Sequence, residues 1–297
     1  MLRKVVSGLG LLAVCCPALA RPPAALAPSG PWLPLKSADS CKLSRAFGEG
    51  KDRVVAVFER VAPGSRLNLL VFGPGLRSGP AARGGQVRFL PAAGPSFTGG
   101  LSAMTARGET VIQWSAVDFA PDLKVEPGLR TAGQLLALKA ANLAAKSTAA
   151  AQVTGVEVSE PGGNRIVLQT GTMTAVQDSL EACARDQLQS WGLDPAVRHR
   201  IVLGPRSDRK PGDFVDERDY PVLALRHGGE AIITARLIVD ADGKVSRCTT
   251  ITDFAEPEMK ELVCRGLSKA TFQPAVLDDG TKVPDFTMLR FRFGMAP

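Results

Sequence analysis

The sequence predicts an α+β protein, with a β-rich N-terminal domain containing one or two helices and a small β-β-α-β C-terminal domain. Its 297 residues are 45% hydrophobic and 22% charged, as in globular proteins, which excludes disorder, collagen and coiled coil. The 30 glycines and 22 prolines favour many turns and short strands. Short runs rich in β-branched and aromatic residues outnumber the helical patterns.

Residues 1–20 have the layout of a secretory signal peptide. Two basic residues precede an apolar stretch, and the sequence PALA, ending at Ala20, is a small-residue cleavage site. The 16 apolar residues 5–20 fall short of the ~20 that a membrane-spanning helix needs. We therefore expect export to the periplasm and cleavage near Arg21, followed by a Pro-rich leader over 21–36. A retained inner-membrane anchor facing the periplasm is the alternative, and the chain would contact a membrane only in that case.

Charge gives little support for nucleic-acid binding. The chain has a net charge of +7, which falls to +5 without the signal (34 basic minus 29 acidic residues). The densest basic cluster, within 198–210, contains no aromatic residues that could stack on bases. We expect no nucleic-acid partner, and we interpret residues 201–218 as a solvated linker between the two domains.

Cysteine usage agrees with export. Four cysteines remain after signal removal, namely Cys41, Cys183, Cys248 and Cys264. An even number in an exported chain predicts two disulfides, with three pairings open. Metal binding is disfavoured, because no two cysteines have Cys-x-x-Cys spacing and neither histidine is close to them.

The first domain, residues 37–200, begins with strand-like runs at 53–61, 66–73, 86–90 and 109–115. An Ala/Leu-rich helix is expected over 131–146, and a hairpin over 153–159 and 165–169. A second helix begins near Thr174 and stops at Gly192, which suits a left-handed terminal position. Its apolar stripe is expected to include Cys183, which predicts a Cys41–Cys183 disulfide within this domain.

The second domain, residues 219–297, starts with an apolar strand over 230–239. A turn containing Asp242 and Gly243 leads into a second strand over 244–252, and a helix starts at Pro257. A Cys248–Cys264 disulfide would join this strand to this helix. Val245 and Cys248 have opposite parity, so both can face the helix only if the strand contains a bulge.

Several short motifs in this domain resemble the C-terminal domain of the TonB energy-transducer family. They occur in the family's order and spacing over about a quarter of the chain. The carriers are a Tyr-Pro start (Tyr220, Pro221), the Asp-Gly hairpin (Asp242, Gly243) and a Phe-x-Pro after the helix (Phe272, Pro274). The Cys248/Cys264 pair is similar to a variant of alphaproteobacterial members.

The resemblance implies a periplasmic module that binds a short segment of an outer-membrane receptor, or another periplasmic protein, by adding it as a strand to the sheet edge. Matching to the family's last strand selects residues Thr287, Met288, Leu289, Arg290, Phe291, Arg292 and Phe293. Arg290 and Arg292 could attract an acidic peptide, or could serve as charges that prevent edge-to-edge aggregation.

The sequence also departs from that family. The N-terminal apolar segment is short and cleavable, and a folded domain replaces the long Pro-rich spacer. We therefore expect a non-enzymatic interaction protein with no catalytic, cofactor-binding or metal-binding residues. A membrane-anchored transducer is the first alternative, and an exported enzyme with an unrecognised site in residues 37–200 is the second.

Overall fold

The computed structural model describes residues 23–77, 83–91, 95–105, 108–124, 131–219, 231–251 and 256–293. The strands are β1 (Ala24–Leu26), β2 (Leu33–Leu35), β3 (Cys41–Phe47), β4 (Val54–Arg60), β5 (Leu67–Phe72), β6 (Arg83–Leu90), β7 (Ser96–Met104), β8 (Thr110–Val117), β9 (Gly155–Ser159), β10 (Arg165–Leu168), β11 (Ile201–Leu203), β12 (Ala231–Val239), β13 (Val245–Ile251), β14 (Ala275–Leu277), β15 (Lys282–Val283) and β16 (Asp285–Phe293). The α-helices are α1 (Ala132–Gln152), α2 (Thr174–Ser190) and α3 (Pro257–Leu267).

The predicted α+β class is wrong, because the described chain is mostly β. Ten strands form one sheet in the order β1-β10-β9-β6-β7-β8-β5-β4-β3-β2, and two three-stranded sheets accompany it. Only three α-helices occur among the described residues. Short strand runs look alike whether they pair with a neighbour or with a strand 70 residues away, so the sequence pattern did not reveal this large sheet.

The N-terminal segment joins the two edges of the ten-stranded sheet. β1 runs parallel to β10 at one edge, and β2 runs antiparallel to β3 at the other. Between them, Ser29 N–H donates to the Ala46 carbonyl (2.9 Å) and Gly48 N–H donates to the Ala27 carbonyl (2.8 Å). The sheet is therefore curled. The segment that was predicted as a Pro-rich leader pairs with both edge regions of this sheet.

Aromatic side chains fill the space that the curled sheet encloses. Phe58 stacks on Phe89 with ring centroids 6.3 Å apart, and Phe89 contacts Phe119 at 4.8 Å. Trp114 is buried, and its indole N–H donates to the Gly85 carbonyl (3.1 Å). Burial of rings this large is the main stabilising contribution of this core.

Helix α2 covers β3 and is bonded to it by the predicted Cys41–Cys183 disulfide, whose Cα atoms lie 6.0 Å apart. Cys41 is buried. Cys183 is exposed, which corrects its predicted place on the buried stripe. The buried face of α2 comprises Val176, Gln177, Leu180, Ala184 and Leu188. Cys183 lies at the border of this face, one position before Ala184, close enough to reach β3.

The second predicted disulfide, Cys248–Cys264, is also confirmed, with Cα atoms 5.6 Å apart. It joins β13 to α3 across the core formed by the sheet β13-β12-β16 and this helix. The bulge that the sequence required is present, because Ile238 pairs with Arg247 whereas Val239 pairs with Val245. Val245 and Cys248 consequently both pack against the same core.

The predicted small β-β-α-β fold of the C-terminal residues is wrong as well. Between α3 and β16, β14 pairs with β11 and β15, and this third sheet draws on residues 201–203. In addition, Leu188 and Trp191 of the α2 end form one cluster with Ile238 of β12 and Phe286 of β16. The last eighty residues therefore share their packing with upstream elements. The division at residues 201–218 stays a prediction.

Arg236 joins the C-terminal sheet to the upstream half. It lies on β12 and is only 3% exposed. Its guanidinium donates to the Asp39 carbonyl (2.7 Å) and to the Asp39 carboxylate (3.1 Å), and lies 3.8 Å from the centroid of the Trp191 ring. Burial lowers the pKa of Arg236, and the Asp39 carboxylate opposes that shift. A charge buried this deeply is tolerated only because it is hydrogen-bonded and paired.

A substitution at Gly243 tests the close backbone contact between the β12–β13 hairpin and the segment after α3. Its φ is +87°, and an added Cβ would lie 2.2 Å from the Phe272 carbonyl oxygen. Gly243→Ala is expected to lower the free energy of unfolding by about 2 to 3 kcal/mol, combining left-handed strain with a backbone clash. Gly280 is the matched control in a urea titration, because its φ is +85° and an added Cβ there would meet no atom within 4 Å. Equal losses for Gly243→Ala and Gly280→Ala would contradict the clash.

Candidate functional site

Strand β16 forms an edge of the C-terminal sheet. It pairs antiparallel with β12 along its whole length, from Asp285 opposite Val239 to Phe293 opposite Ala231. Within the described ranges, no strand pairs with its other side. The residues 287–293 that the sequence selected therefore lie on an edge strand, whose outward backbone groups can accept a further strand.

The start of this strand is fixed by Arg198, in a short 3₁₀ turn. One guanidinium nitrogen of Arg198 donates to both carboxylate oxygens of the buried Asp285, at 2.6 and 2.7 Å. The guanidinium also lies 4.3 Å from the centroid of the Phe286 ring. Burial raises the pKa of Asp285, and the Arg198 charge counteracts it. These contacts hold the register of β16 before its exposed portion begins.

The side chains of β16 alternate between a core face and an outer face, as the alternation of apolar residues with arginines in the sequence of this strand predicts. Leu289, Phe291 and Phe293 pack against the α3 core, and the rings of Phe291 and Phe293 stack at 6.3 Å. On the other face, Met288 packs against the cluster around Trp191, while Arg290 and Arg292 are exposed. Apolar anchoring on one face leaves the two guanidinium groups available on the other.

A groove of about 170 Å³ runs beside the middle of β16. Thr234 of β12 lines one side of it, together with Met288, Leu289 and Arg290 of β16. Residues of the upstream half line the other: Val61, Ser65, Arg66, Asn68, Ser115 and Ala116. The sequence did not place these residues near the last strand, because they are more than 160 positions away from it.

The upstream wall of the groove contains a strained bulge. Leu67 pairs with Val117 and Leu69 pairs with Trp114, so two residues of β8, Ser115 and Ala116, lie opposite one residue of β5. Ala116 adopts φ +61°, a conformation that non-glycine residues rarely take. Strain of this kind costs of order 1–3 kcal/mol and concentrates at functional sites.

The arginines around the groove differ in whether a carboxylate neutralises them. Arg66 is neutralised by Asp122, with an N–O distance of 2.6 Å, and its hydrogen bond lowers the pKa of that carboxyl. Asp118 and Asp122 both form ion pairs with Lys146, at 2.6 and 2.8 Å. Burial and the charge of Arg292 lower the pKa of Arg290. Among the described residues, no salt bridge compensates Arg290 or Arg292, so the edge strand presents positive charge there.

Some of the predicted family-motif residues lie in contact with one another. Phe272 N–H donates to the Gly243 carbonyl (2.8 Å), so the Asp-Gly hairpin and the Phe-x-Pro segment are in contact. Phe272 is buried and Pro274 half-buried, while Asp242 is exposed and paired with Lys244 (3.1 Å). These positions support the sheet and do not line the groove. Tyr220 and Pro221 lie outside the described residues.

Comparison with known proteins assigns no family, since no family model and no curated protein matches this chain. The two disulfides indicate an exported protein, because such bonds persist in oxidising compartments. No α-helix in the described ranges has the length and apolar character to span a membrane. The same ranges bring no three metal-ligating side chains together.

Proposed function

We propose that this chain is a periplasmic, non-enzymatic interaction protein that binds an extended peptide by strand addition to β16. The observation that supports this proposal is the edge of β16 that pairs with no other strand of the described ranges and lies near a groove. Residues 286–292 span roughly 23 Å at ~3.3 Å per residue, so about seven residues of a guest strand can be accommodated.

Affinity and selectivity would come from different parts of the guest. Main-chain hydrogen bonds to the β16 edge supply sequence-independent affinity. The side chains of alternate guest residues would lie beside Met288, Arg290 and Arg292, which form the outer face of the strand. Two guanidinium groups two residues apart favour a peptide with carboxylates at the same spacing, because opposite charges on neighbouring strands attract.

The guest is proposed to be a segment of an outer-membrane receptor or of another periplasmic protein. This part of the proposal depends on the resemblance of residues 219–297 to TonB C-terminal domains, carried by short motifs only. Export, indicated by the two disulfides, is compatible with the periplasm.

Fluorescence anisotropy with labelled nine-residue peptides tests the proposal on the full exported chain. A peptide alternating Glu with Val is expected to bind, and its counterpart with proline at the central position is expected to lose binding because proline removes a backbone donor. The double variant Arg290→Gln/Arg292→Gln is expected to weaken binding about three- to tenfold, since each exposed ion pair contributes up to ~1 kcal/mol.

The matched control is Arg185→Gln/Lys282→Gln, which removes two exposed cations that are not part of β16. It should leave the affinity unchanged within about twofold once ionic strength is fixed. An equal loss in this control would indicate attraction by net charge alone. Unaltered binding of the proline-containing peptide would contradict strand addition.

A further inference from the structure

A second cavity lies at the C-terminal end of α3, where a short 3₁₀ turn over Pro211–Phe214 meets this helix. Its volume is about 300 Å³, at the lower end of the range of small-molecule pockets. Phe214, Leu262 and Ala270, all buried, contribute its apolar lining.

The floor of this cavity is rigid. The Phe214 ring stacks on Phe272 with centroids 5.8 Å apart and nearly parallel planes. Gly266 of α3 approaches the Phe214 backbone so closely that an added Cβ would lie 1.9 Å from its carbonyl oxygen. A ligand would therefore meet a preformed surface, which lowers the entropic cost of binding.

Three cationic side chains, Arg209, Arg265 and Lys269, line the cavity. The Arg209 guanidinium lies 4.5 Å from the centroid of the Phe214 ring and donates to the Asp213 carbonyl. Arg265 lies in the last turn of α3, and Lys269 follows two residues after the helix ends. Within the described ranges, none of the three cations forms a salt bridge with a carboxylate.

The two acids at this cavity do not neutralise those cations. Asp216 is bound by Arg218, with an N–O distance of 2.6 Å, and the hydrogen bonds from Arg218 lower the pKa of Asp216 to about 2. Arg218 also interacts electrostatically with Asp219. Arg218 does not line the cavity, so Asp216 is directed to a charge outside it, and the three cations in the lining outnumber its two acids.

We infer that this cavity binds a small anionic molecule carrying phosphate or carboxylate groups, held by Arg209, Arg265 and Lys269 over the Phe214 floor. Guanidinium groups suit both anions, because their planar donors match two oxygens at once. This site is separate from β16 and does not depend on strand addition.

Calorimetric titration of the full exported chain with pyrophosphate and, separately, with citrate tests the inference at constant ionic strength. We expect saturable binding of at least one probe, and the tighter of the two identifies the ligand chemistry. Arg265→Gln/Lys269→Gln should weaken that binding at least tenfold, because two charge-assisted hydrogen bonds are lost. Arg209→Gln alone should weaken it several-fold.

Two controls make the result specific. Lys260→Gln removes a cation of the same helix that does not line the cavity, and Arg290→Gln/Arg292→Gln removes the cations of β16. Both should retain the wild-type affinity within about twofold. Absence of saturable binding of both probes at millimolar concentration would overturn the inference, as would equal weakening by the Lys260→Gln control.

Discussion

Replacing Cys41 and Cys183 with serine is expected to lower the free energy of unfolding by about 5 kcal/mol, the largest loss expected for this chain. This disulfide closes a loop of 142 residues, and the loss of unfolded-state entropy grows with the logarithm of loop length. Since domains are stable by only about 5–15 kcal/mol, the variant is expected to be marginally folded. Urea unfolding followed by circular dichroism measures the difference.

The second disulfide is the control for this prediction. Cys248→Ser/Cys264→Ser opens a loop of 16 residues, for which the same relation gives about 3 kcal/mol. The two disulfides also connect different elements. Cys248–Cys264 joins β13 to α3, whereas Cys41–Cys183 joins the large sheet to α2. A larger loss for the short loop would contradict the loop-entropy argument.

Arg236→Ala is expected to lower the free energy of unfolding by about 3 to 5 kcal/mol. The side chain is almost completely buried, and its removal leaves the carbonyls of Asp39 and Val61 without this donor and opens a cavity beside Trp191. Removing one partner of a buried, hydrogen-bonded charge pair lowers the free energy of unfolding by an amount of this order. Urea unfolding gives the free energy, and Trp fluorescence reports the altered environment of Trp191.

Arg247→Ala provides the comparison, because Arg247 is an exposed arginine on the adjacent strand, with one long hydrogen bond of 3.3 Å to the Ser190 carbonyl. Exposed substitutions of this kind are usually within about 0.5 kcal/mol of wild type. If Arg236→Ala were as mild as Arg247→Ala, Arg236 would not join the C-terminal sheet to the upstream half.

Local patterns predicted the parts of the molecule that are set by neighbouring residues. Alternation identified both faces of β16, because side chains along a strand point to opposite sides. Gly192 has the positive φ expected of a helix end, at +79°, and the parity of Val245 and Cys248 implied the bulge that β13 contains. The Cys41–Cys183 pairing was predicted because both cysteines fall in the first predicted domain. The Cys248–Cys264 pairing was predicted by placing one cysteine on a strand and the other on a helix.

Long-range pairing could not be read from the same patterns. β6 pairs with β9 across more than sixty residues, and the segment 24–35 spans both edges of the large sheet. Periodicity indicates which face of a strand is buried but not which strand lies beside it. The α+β class and the small β-β-α-β C-terminal fold were wrong for this reason.

The candidate site was predictable only on its strand side. Residues 287–293 were identified from alternation and from the family resemblance, whereas the opposite wall, around Ser65 and Ala116, comes from distant loops and a bulge. Arg236 was part of an apolar strand run, and nothing in the run indicated that its charge would be buried against Asp39. Buried polar contacts between distant segments leave no local signal in a sequence.

Amide hydrogen exchange across β16 tests the central claim, an outward-facing backbone edge that accepts a guest strand, most directly. In the isolated chain, alternate amides of residues 286–292 should exchange rapidly, because half of them point away from β12. Saturating Glu/Val peptide should slow those amides, and the proline-containing peptide should leave them unchanged. Slow exchange at every one of these amides without peptide, or rapid exchange that persists at saturation, would contradict the account.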